Sequence, residues 1–273
     1  MQKDTWRLII TSPNTGDWNM AVDEAIFESV SKITQPPTLR LYAWYPNCLS
    51  LGHAQSISEI NTQYLTKMGW GLVRRPTGGR AILHADELTY SVCAPIDNEH
   101  IQGGVIESYR EISGALLLAL EMIGIKADSK PKNKEEKYLS KDPVCFQYPS
   151  DYEITFNGKK IIGSAQARRS NALLQHGSIP IFGDISRITS CLLFPSEKEK
   201  VIATKNLLSR AATLENIAGR NISWQEIAFA LVSAFETKFD IQLIHSSLSN
   251  EEFSKSKQLI AKKFNHPDWT QRI

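Results

Sequence analysis

The sequence contains few cysteines, and they are not spaced like the ligands of a metal site. Its 273 residues include four cysteines and six histidines, without a CxxC pair. The cysteines are Cys48, Cys93, Cys145 and Cys191. This spacing gives no indication of a structural zinc site, and the histidines show no metal-type spacing to one another. We therefore expect a protein without a bound metal.

The sequence also lacks a strong charge of either sign and a long apolar run. Its net charge of +2 gives the whole molecule no strong attraction to nucleic acid or to a membrane. No apolar run is long enough to span a bilayer, and the N-terminal segment MQKDTWRLII lacks the apolar centre of a signal peptide. We predict a cytoplasmic protein, whose cysteines are reduced. Its basic character is local, at Arg74-Arg75, Lys159-Lys160 and Arg168-Arg169.

Composition and length predict one ordinary globular unit. Hydrophobic residues make up 42% and charged residues 22% of the chain, as in typical soluble domains. A chain of 273 residues is long for one domain and short for two. It can bury most of the apolar surface of its unfolded state without the help of disulfides. We therefore predict a single globular unit over 1–273.

Alternating and helical patterns predict an α+β fold. TLRLYAWY, 38–45, alternates as a strand does, and Ile106 to Ile123 places apolar residues on one helical face. Asn157-Gly158 lies between two alternating segments, 152–156 and 160–166, and predicts a hairpin with a type I′ turn. Further helices are predicted over 19–30, 57–68, 184–193, 224–239 and 250–264, and further strands over 6–10, 49–53, 71–75, 87–94 and 173–181. Ser223 with Glu226, and Ser249 with Glu252, fit capping boxes that open the last two helices. This order favours a mixed, mostly antiparallel sheet flanked by helices.

The segment RRPTGGR, 74–80, combines two arginines with a glycine elbow. Gly78 and Gly79 permit backbone conformations that are closed to other residues, and a Gly-Gly pair alone most often marks a tight turn between strands. The segment is neither a P-loop nor a GxGxxG motif. The neighbouring Arg75, Arg80 and His84 favour a ligand-binding role for the elbow.

The segment NGKKIIGSAQ, 157–166, places a lysine before a run of small residues. Neighbouring strand side chains alternate, so Lys159 and Lys160 are expected on opposite faces, and a lysine here is usually exposed. The run Gly163, Ser164, Ala165 leaves room for a ligand to lie against the strand.

One cysteine and two histidines remain as candidates for chemistry. Cys145 lies in DPVCFQYPSDYE and is a possible nucleophile, whereas the other three cysteines are expected to be small buried hydrophobes. For His84 and His176 the default interpretation is a hydrogen-bonded core histidine. The sequence contains no GxSxG elbow, so it gives no indication of a serine hydrolase.

Three segments in combination, RRPTGGRAILHADELTYSV, NGKKIIGSAQARR and LQHGSIPI, closely resemble the lipoate/biotin protein ligase superfamily. Within it, the sequence looks like the bacterial octanoyltransferases that charge the glycine cleavage H protein. The resemblance extends from Trp6 and NMAVDEAI to the C-terminal helices. It implies the catalytic-domain fold of that superfamily, a catalytic core at 33–247, a C-terminal helical extension at 248–273, and a monomer.

The resemblance also implies roles for individual residues. Cys145, in VCFQYPSDYE, is implied to be the acyl-thioester nucleophile, and Lys160 to lower the pKa of its thiol. An ammonium beside a thiol favours the reactive thiolate, and the same lysine can stabilise a tetrahedral oxyanion. The residues implied to bind the substrate are Arg75, Thr77, Gly78, Gly79, His84, Gly163, Ser164, Ala165 and His176.

The implied reaction is a ping-pong transfer. Octanoyl-acyl carrier protein is the donor, and the target lysine of the glycine cleavage H protein or another lipoyl domain is the acceptor, a step of protein lipoylation. Forming an amide from a thioester runs downhill, so neither ATP nor any cofactor is expected. Both protein partners are acidic in this family, and the local basic pairs would be docking contacts that salt weakens.

Three alternatives remain open. An ATP-dependent lipoate ligase of the same fold usually has Ser-Gly-Gly-Gly where this chain has Thr77-Gly-Gly-Arg80, and it needs no cysteine at position 145. An amidotransferase also uses a cysteine, but moves octanoyl from the H protein to the E2 subunits of dehydrogenase complexes. A scaffold that only binds lipoyl domains would not be expected to keep both Cys145 and Lys160.

Overall fold

A mixed eight-stranded sheet forms the centre of the molecule. The computed structural model describes residues 3–129 and 153–273, so Cys145 and most of the polar segment 129–142 lie outside the described residues. The strands are β1 Asp4–Ile10, β2 Thr38–Tyr42, β3 Cys48–Leu51, β4 Gly71–Arg74, β5 Ile82–His84, β6 Glu87–Pro95, β7 Asp128–Ser129, β8 Ile154–Phe156, β9 Lys159–Arg169, β10 Ala172–Pro180 and β11 Ile241–His245.

Helices surround two sheets. The α-helices are α1 Gly16–Ser31, α2 Thr62–Met68, α3 Val105–Met122, α4 Glu197–Arg210, α5 Leu214–Ala218, α6 Trp224–Phe239, α7 Asn250–Leu259 and α8 Pro267–Thr270. Shorter 3₁₀ turns lie at Ile57–Glu59 and Ile185–Cys191, and a π turn at Ile260–Phe264 continues α7. No described helix is both long and apolar enough to cross a membrane.

The strands form one large sheet and one small sheet. The large sheet runs β11-β1-β2-β6-β10-β9-β8-β7, and the small sheet runs β4-β3-β5. In the large sheet β1 is parallel to β11 and β2, whereas β2, β6, β10, β9 and β8 pair antiparallel in succession. These pairings confirm the predicted α+β fold with a mixed, mostly antiparallel sheet.

The main core lies between one face of the large sheet and two helices. Tyr90 and Val92 of β6 face the cluster that contains Leu116 of α3 and Phe235 of α6. On the other face, Val22 and its neighbours in α1 pack in a second cluster. Both faces of the central strands are therefore covered, as their continuous burial reflects.

Several predictions of secondary structure are confirmed closely. Asn157 and Gly158 have φ angles of 48° and 78°, the positive values that a type I′ hairpin turn requires. The helix predicted at 224–239 is α6, and Ser249 with Glu252 forms a reciprocal capping box at the start of α7. Cys48, Cys93 and Cys191 are free and buried, as expected.

Other elements differ from their predictions. The helix predicted at 57–68 is a 3₁₀ turn followed by α2, because Asn61 caps a new helix through its side chain. β11 and α4 were not predicted. β11 follows α6 directly, with Asp240 in the left-handed region between them, and its pairing with β1 is a long-range contact that local patterns do not reveal.

Candidate active site

Strand register builds a row of side chains across the large sheet. Tyr42 lies opposite Thr89, Thr89 opposite Ser178, and Ser178 opposite Gly163. Residues directly opposite on neighbouring strands share a face of the sheet. The row runs from the centre of the sheet, where Tyr42 is bulky, to β9, where Gly163 has no side chain.

A central cavity of about 220 Å³ lies over this row. Met20 from α1, Trp44 from the loop after β2, and Ile82 from the small sheet supply apolar walls. An apolar cavity of about 150 Å³ holds a benzene molecule, so the central cavity has room for a somewhat larger apolar group. Gly79 and Arg80 form its exposed side.

Lys160 reaches the central cavity because β9 contains an extra residue. β8 pairs Ile154 with Ile162 and Thr155 with Lys160, which leaves Ile161 without a partner on β8. Such a bulge interrupts the alternation of side chains. Ile161 and Ile162 consequently pack in one core cluster. Strict alternation of side chains along a strand would place Ile161 and Ile162 on opposite faces, and this alternation fails at the bulge.

The ammonium of Lys160 is buried beside a carboxylate. Lys160 is 4% exposed and Glu153 is 3% exposed, and Lys160 Nζ donates a hydrogen bond to Glu153 Oε1. Both line the central cavity. The expectation that a lysine here is exposed is therefore wrong, and an isolated buried ammonium would be costly without such a partner.

His84 belongs to a hydrogen-bonded chain under the cavity. Its Nδ1 lies 3.1 Å from Glu87 Oε1 and its Nε2 lies 2.8 Å from Ser50 Oγ, while its ring stacks on Trp44 at 3.9 Å between centroids. Burial lowers the pKa of His84, and the nearby Glu87 charge offsets this only in part. His84 is thus a neutral wall residue at pH 7.

His176 links the sheet to the glycine elbow. Its Nε2 lies 2.7 Å from Thr77 Oγ1, and its Nδ1 lies 3.2 Å from Asp23 Oδ2. Burial by itself would raise the pKa of Asp23, but the Arg40 charge and the His176 hydrogen bond hold it below its ordinary value. Asp23 therefore stays ionised and fixes the orientation of the imidazole. Both His84 and His176 are buried and hydrogen-bonded, as the default interpretation predicted.

Arg75 shapes the elbow. Its Nη2 donates to the carbonyls of Gly78 and Arg80 at 2.8 and 2.7 Å, and its Nη1 donates to Ser50 O at 3.0 Å. Gly79 has a φ of 94°, which glycine adopts without strain. A Cβ on Gly52 would lie 1.8 Å from Gly79 O, so Gly52 is needed for the close approach of the two segments.

The two N-terminal arginines of the elbow are not docking residues. Arg74 is fully buried and Arg75 is 3% exposed. Arg74 donates to the backbone carbonyls of Gly52, Gln55 and Thr270. The expectation that this basic pair contacts acidic partners is therefore wrong, because both guanidinium groups donate hydrogen bonds to backbone carbonyls inside the fold.

Most of the predicted site residues lie together at the central cavity, and two of the described ones do not line it. Eight of them line the central cavity: Arg75, Gly79, His84, Lys160, Gly163, Ser164, Ala165 and His176. Thr77 and Gly78 line a groove that adjoins it. Cys145 lies outside the described residues.

Three buried acids at the site were missed from the sequence. Glu153, Glu87 and Asp23 each contact a predicted residue, namely Lys160, His84 and His176. Glu153 faces Lys160 across the Asn-Gly hairpin, and this proximity was available from the sequence. Asp23 is 153 positions from His176, and no local signal joins them.

The cavity combines an apolar interior with a buried ammonium. Such a site suits an acyl chain, whose tail needs apolar walls and whose carbonyl gains from a positively charged hydrogen-bond donor.

Comparison with known proteins agrees with this geometry. Residues 16–236 match the family model described as the lipoyl protein ligase A/B catalytic domain. The chain is 38% identical to the octanoyltransferase LipM of Brevibacillus brevis, over 98% of this chain and 99% of that protein. It is 39% identical to the octanoyltransferase LipM of Carboxydothermus hydrogenoformans, over 99% of this chain and 100% of that protein.

Solved structures agree on the fold. A Thermoplasma acidophilum protein with bound lipoic acid superposes with a TM-score of 0.80 at 25% identity, over the whole of both chains. A lipoate-protein ligase A bound with ATP superposes with a TM-score of 0.79 at 24% identity, over 99% of each chain. The chain therefore belongs to the lipoyl protein ligase A/B catalytic domain family, in its bacterial octanoyltransferase branch, and is an acyltransferase.

Proposed function

We propose that this enzyme transfers an octanoyl group from octanoyl-acyl carrier protein to the target lysine of the glycine cleavage H protein or another lipoyl domain. The transfer proceeds through an acyl-thioester on Cys145. The names of the bacterial relatives support the octanoyl group. The donor, the acceptor and the role of Cys145 follow from the family resemblance and the chemistry of the site.

One observation carries the proposal: the ammonium of Lys160 is buried at an apolar cavity of about 220 Å³. A thioester carbonyl becomes an oxyanion when a nucleophile attacks it, and a donor in a water-poor site stabilises that charge strongly. The apolar walls suit the alkyl tail. One cavity therefore serves both ends of an octanoyl group.

The first half-reaction exchanges one thioester for another. The Cys145 thiolate attacks the thioester carbonyl carbon on the phosphopantetheine arm of the acyl carrier protein. A new C–S bond forms, and the C–S bond to the carrier's arm breaks. The carrier thiolate takes up a proton as it leaves. Because a thioester is made and a thioester is broken, the step is close to neutral in free energy.

The second half-reaction forms an amide. The neutral ε-amine of the acceptor lysine attacks the acyl carbonyl, a C–N bond forms, and the C–S bond to Cys145 breaks. One amine proton goes to the Cys145 sulfur, which restores the thiol. Lys160 stabilises the oxyanion in both halves.

Intact-protein mass spectrometry tests the proposal. The enzyme is incubated with octanoyl-acyl carrier protein in the absence of ATP, and we expect a gain of one octanoyl group that disappears in Cys145→Ala. Cys191→Ala is the matched control, because burial raises the pKa of Cys191 to about 12 and leaves it an unreactive thiol.

The same assay separates the alternatives. Adduct formation from octanoyl-H protein, but not from octanoyl-acyl carrier protein, would indicate an amidotransferase. Acceptor modification that requires ATP and free octanoate or lipoate, without any adduct on the enzyme, would indicate a ligase. Either result contradicts the proposal.

A further inference from the structure

A second, larger depression adjoins the central cavity. We call it the basic groove; its volume is about 690 Å³. Its lining residues are His53, Ala54, Gln55, Pro76, Thr77, Gly78, Gly79, Arg80, Gln166, Ala167, Arg168, Arg169, Lys263 and Trp269. Four of these carry a positive side chain, and none of the described lining residues is an aspartate or a glutamate.

The positive charges of the basic groove are only partly balanced. Arg169 and Lys263 share one carboxylate, since Glu24 Oε1 lies 2.6 Å from Arg169 Nη2 and 3.1 Å from Lys263 Nζ. Glu24 itself is 2% exposed and lies beneath the surface.

Arg168 adds a further positive charge, and its partners among the described residues include no carboxylate. Its guanidinium donates to the carbonyls of Gly103 and Gly104 and to the hydroxyl of Ser108, which are neutral groups. Partial burial, and then nearby cations with Arg272 first, lower the pKa of His53. The basic groove therefore has a net positive charge in the described part of the chain.

Arg80 joins the basic groove to the central cavity. Arg80 and Gly79 line both, and the Arg80 side chain is 36% exposed. In the described structure its Nη1 makes one loose ion pair, at 3.5 Å, with Glu59. Its guanidinium is therefore available to a ligand that leaves the cavity towards the groove.

We propose that the basic groove binds the phosphate of the donor's thioester arm, with Arg80 as a contact. The inference rests on the proposed function, in which the acyl chain fills the central cavity and the donor is a carrier with a phosphopantetheine arm. The arm must leave the cavity on its exposed side, where Gly79 and Arg80 lie. Guanidinium groups bind phosphate through directed, charge-assisted hydrogen bonds.

Two donors that differ in one phosphate test the proposal. Octanoyl-4′-phosphopantetheine and octanoyl-pantetheine are compared as substrates for acylation of the enzyme. We expect kcat/KM to favour the phosphorylated donor by about tenfold, the effect of one charge-assisted contact of ordinary strength. The preference should fall as salt concentration rises, because the groove is open to solvent.

Arg80→Gln is the test variant, and Lys198→Gln is the matched control. Both remove one positive charge, but Lys198 is an exposed residue of α4 outside the groove lining. We expect the ratio of kcat/KM for the two donors to move towards one in Arg80→Gln and to stay unchanged in Lys198→Gln. Equal use of both donors by the unmodified enzyme would overturn the proposal.

A binding measurement distinguishes failure of this inference from failure of the proposed function. Isothermal titration with 4′-phosphopantetheine and with pantetheine needs no acyl transfer. Stronger binding of the phosphorylated compound, weakened in Arg80→Gln, supports the groove even if no donor acylates the enzyme. Equal binding of both compounds overturns it. So does an Arg80→Gln variant that changes only the KM for the acceptor domain, since the groove would then contact the acceptor.

Discussion

At the scale of single residues, the proposed chemistry depends on the buried pair of Lys160 and Glu153. The sequence suggested Lys160 through its place before the small residues of β9 and through the family resemblance. The structure adds that its ammonium is buried against Glu153. A thiolate brought to the same cavity would compete with the Glu153 carboxylate for this ammonium. Glu153 therefore limits how strongly Lys160 acts on a second anion.

Replacing Glu153 by Gln should make Cys145 more reactive. Removing a nearby negative charge favours a thiolate, so alkylation by iodoacetamide at pH 7 should be faster in Glu153→Gln. In Lys160→Ala it should be slower by about tenfold, the equivalent of one pKa unit. The rates are read by mass spectrometry of the peptide that contains Cys145.

Glu197→Gln, an exposed change in α4, is the control and should leave the rate unchanged. If Glu153→Gln slows alkylation as Lys160→Ala does, Glu153 supports Lys160 by orienting it, and the competition described above is wrong.

At the scale of elements, β9 divides the ligand surface into two parts. Gly163 and Ala165 line the central cavity, while Ala167 lines the basic groove. Residues two apart on a strand point to the same side, so Ala165 and Ala167 are neighbours on one face with different surroundings. Small side chains along β9 thus leave room for an extended ligand to lie against it.

Enlarging Ala165 should shorten the acyl chain that the enzyme accepts. The larger side chain of Ala165→Leu would fill part of a cavity of about 220 Å³. We expect kcat/KM for octanoyl transfer to fall by at least about tenfold, or 1.4 kcal/mol. Transfer of butanoyl should be much less affected. The measurement is acylation rate against chain length.

Ala167→Leu is the matched control, with the same change two residues along the same strand. Its ratio of octanoyl to butanoyl transfer should remain that of the unmodified enzyme. Equal losses for both chain lengths in Ala165→Leu would mean that the cavity does not hold the alkyl tail.

At the scale of the whole molecule, the first strand and the C-terminal helices are joined by a buried ion pair. Arg7 of β1 donates two hydrogen bonds to Glu252 of α7, at 3.0 and 2.7 Å. Ser29 of α1 donates a third, at 2.6 Å. Near the end of the chain, Arg74 and Trp269 exchange hydrogen bonds. The C-terminal segment is therefore packed against the elements that carry the site.

Glu252→Gln should destabilise the fold in a pH-dependent way. Breaking a buried ion pair costs about 3–5 kcal/mol. Burial by itself would raise the pKa of Glu252, but the hydrogen bonds from Arg7, Ser29 and the Ser249 backbone hold it below its ordinary 4.5. A lowered folded-state pKa stabilises the protein above pH 4.5, and this contribution is lost as the pH falls through the folded-state value.

Urea unfolding at pH 7 and at pH 3 measures this effect. The free-energy difference between the unmodified enzyme and Glu252→Gln should be large at pH 7 and smaller at pH 3. Glu251→Gln changes the exposed neighbour in the same helix turn, and it should change stability little at either pH. A pH-independent difference for Glu252→Gln would show that packing, not charge, accounts for its effect.

Local patterns were sufficient to predict most of the helices and strands. The Asn157-Gly158 turn, the helix at 224–239 and the Ser249 capping box depend on backbone preferences of neighbouring residues, which a sequence displays directly. The elbow and the small-residue strand were likewise recognisable from their letters. The sequence by itself therefore determined the family and the fold class, because these depend on motifs and on local patterns.

Only the tertiary structure decided what those residues do to one another. The bulge that turns Lys160 inwards, the Asp23 carboxylate under His176 and the burial of Arg74 all arise from contacts between distant segments. Charge and burial are properties of the surroundings of a side chain, and those surroundings are assembled from strands that are remote in sequence. This is why a lysine expected in solvent and two arginines expected at a docking surface are all buried in the fold.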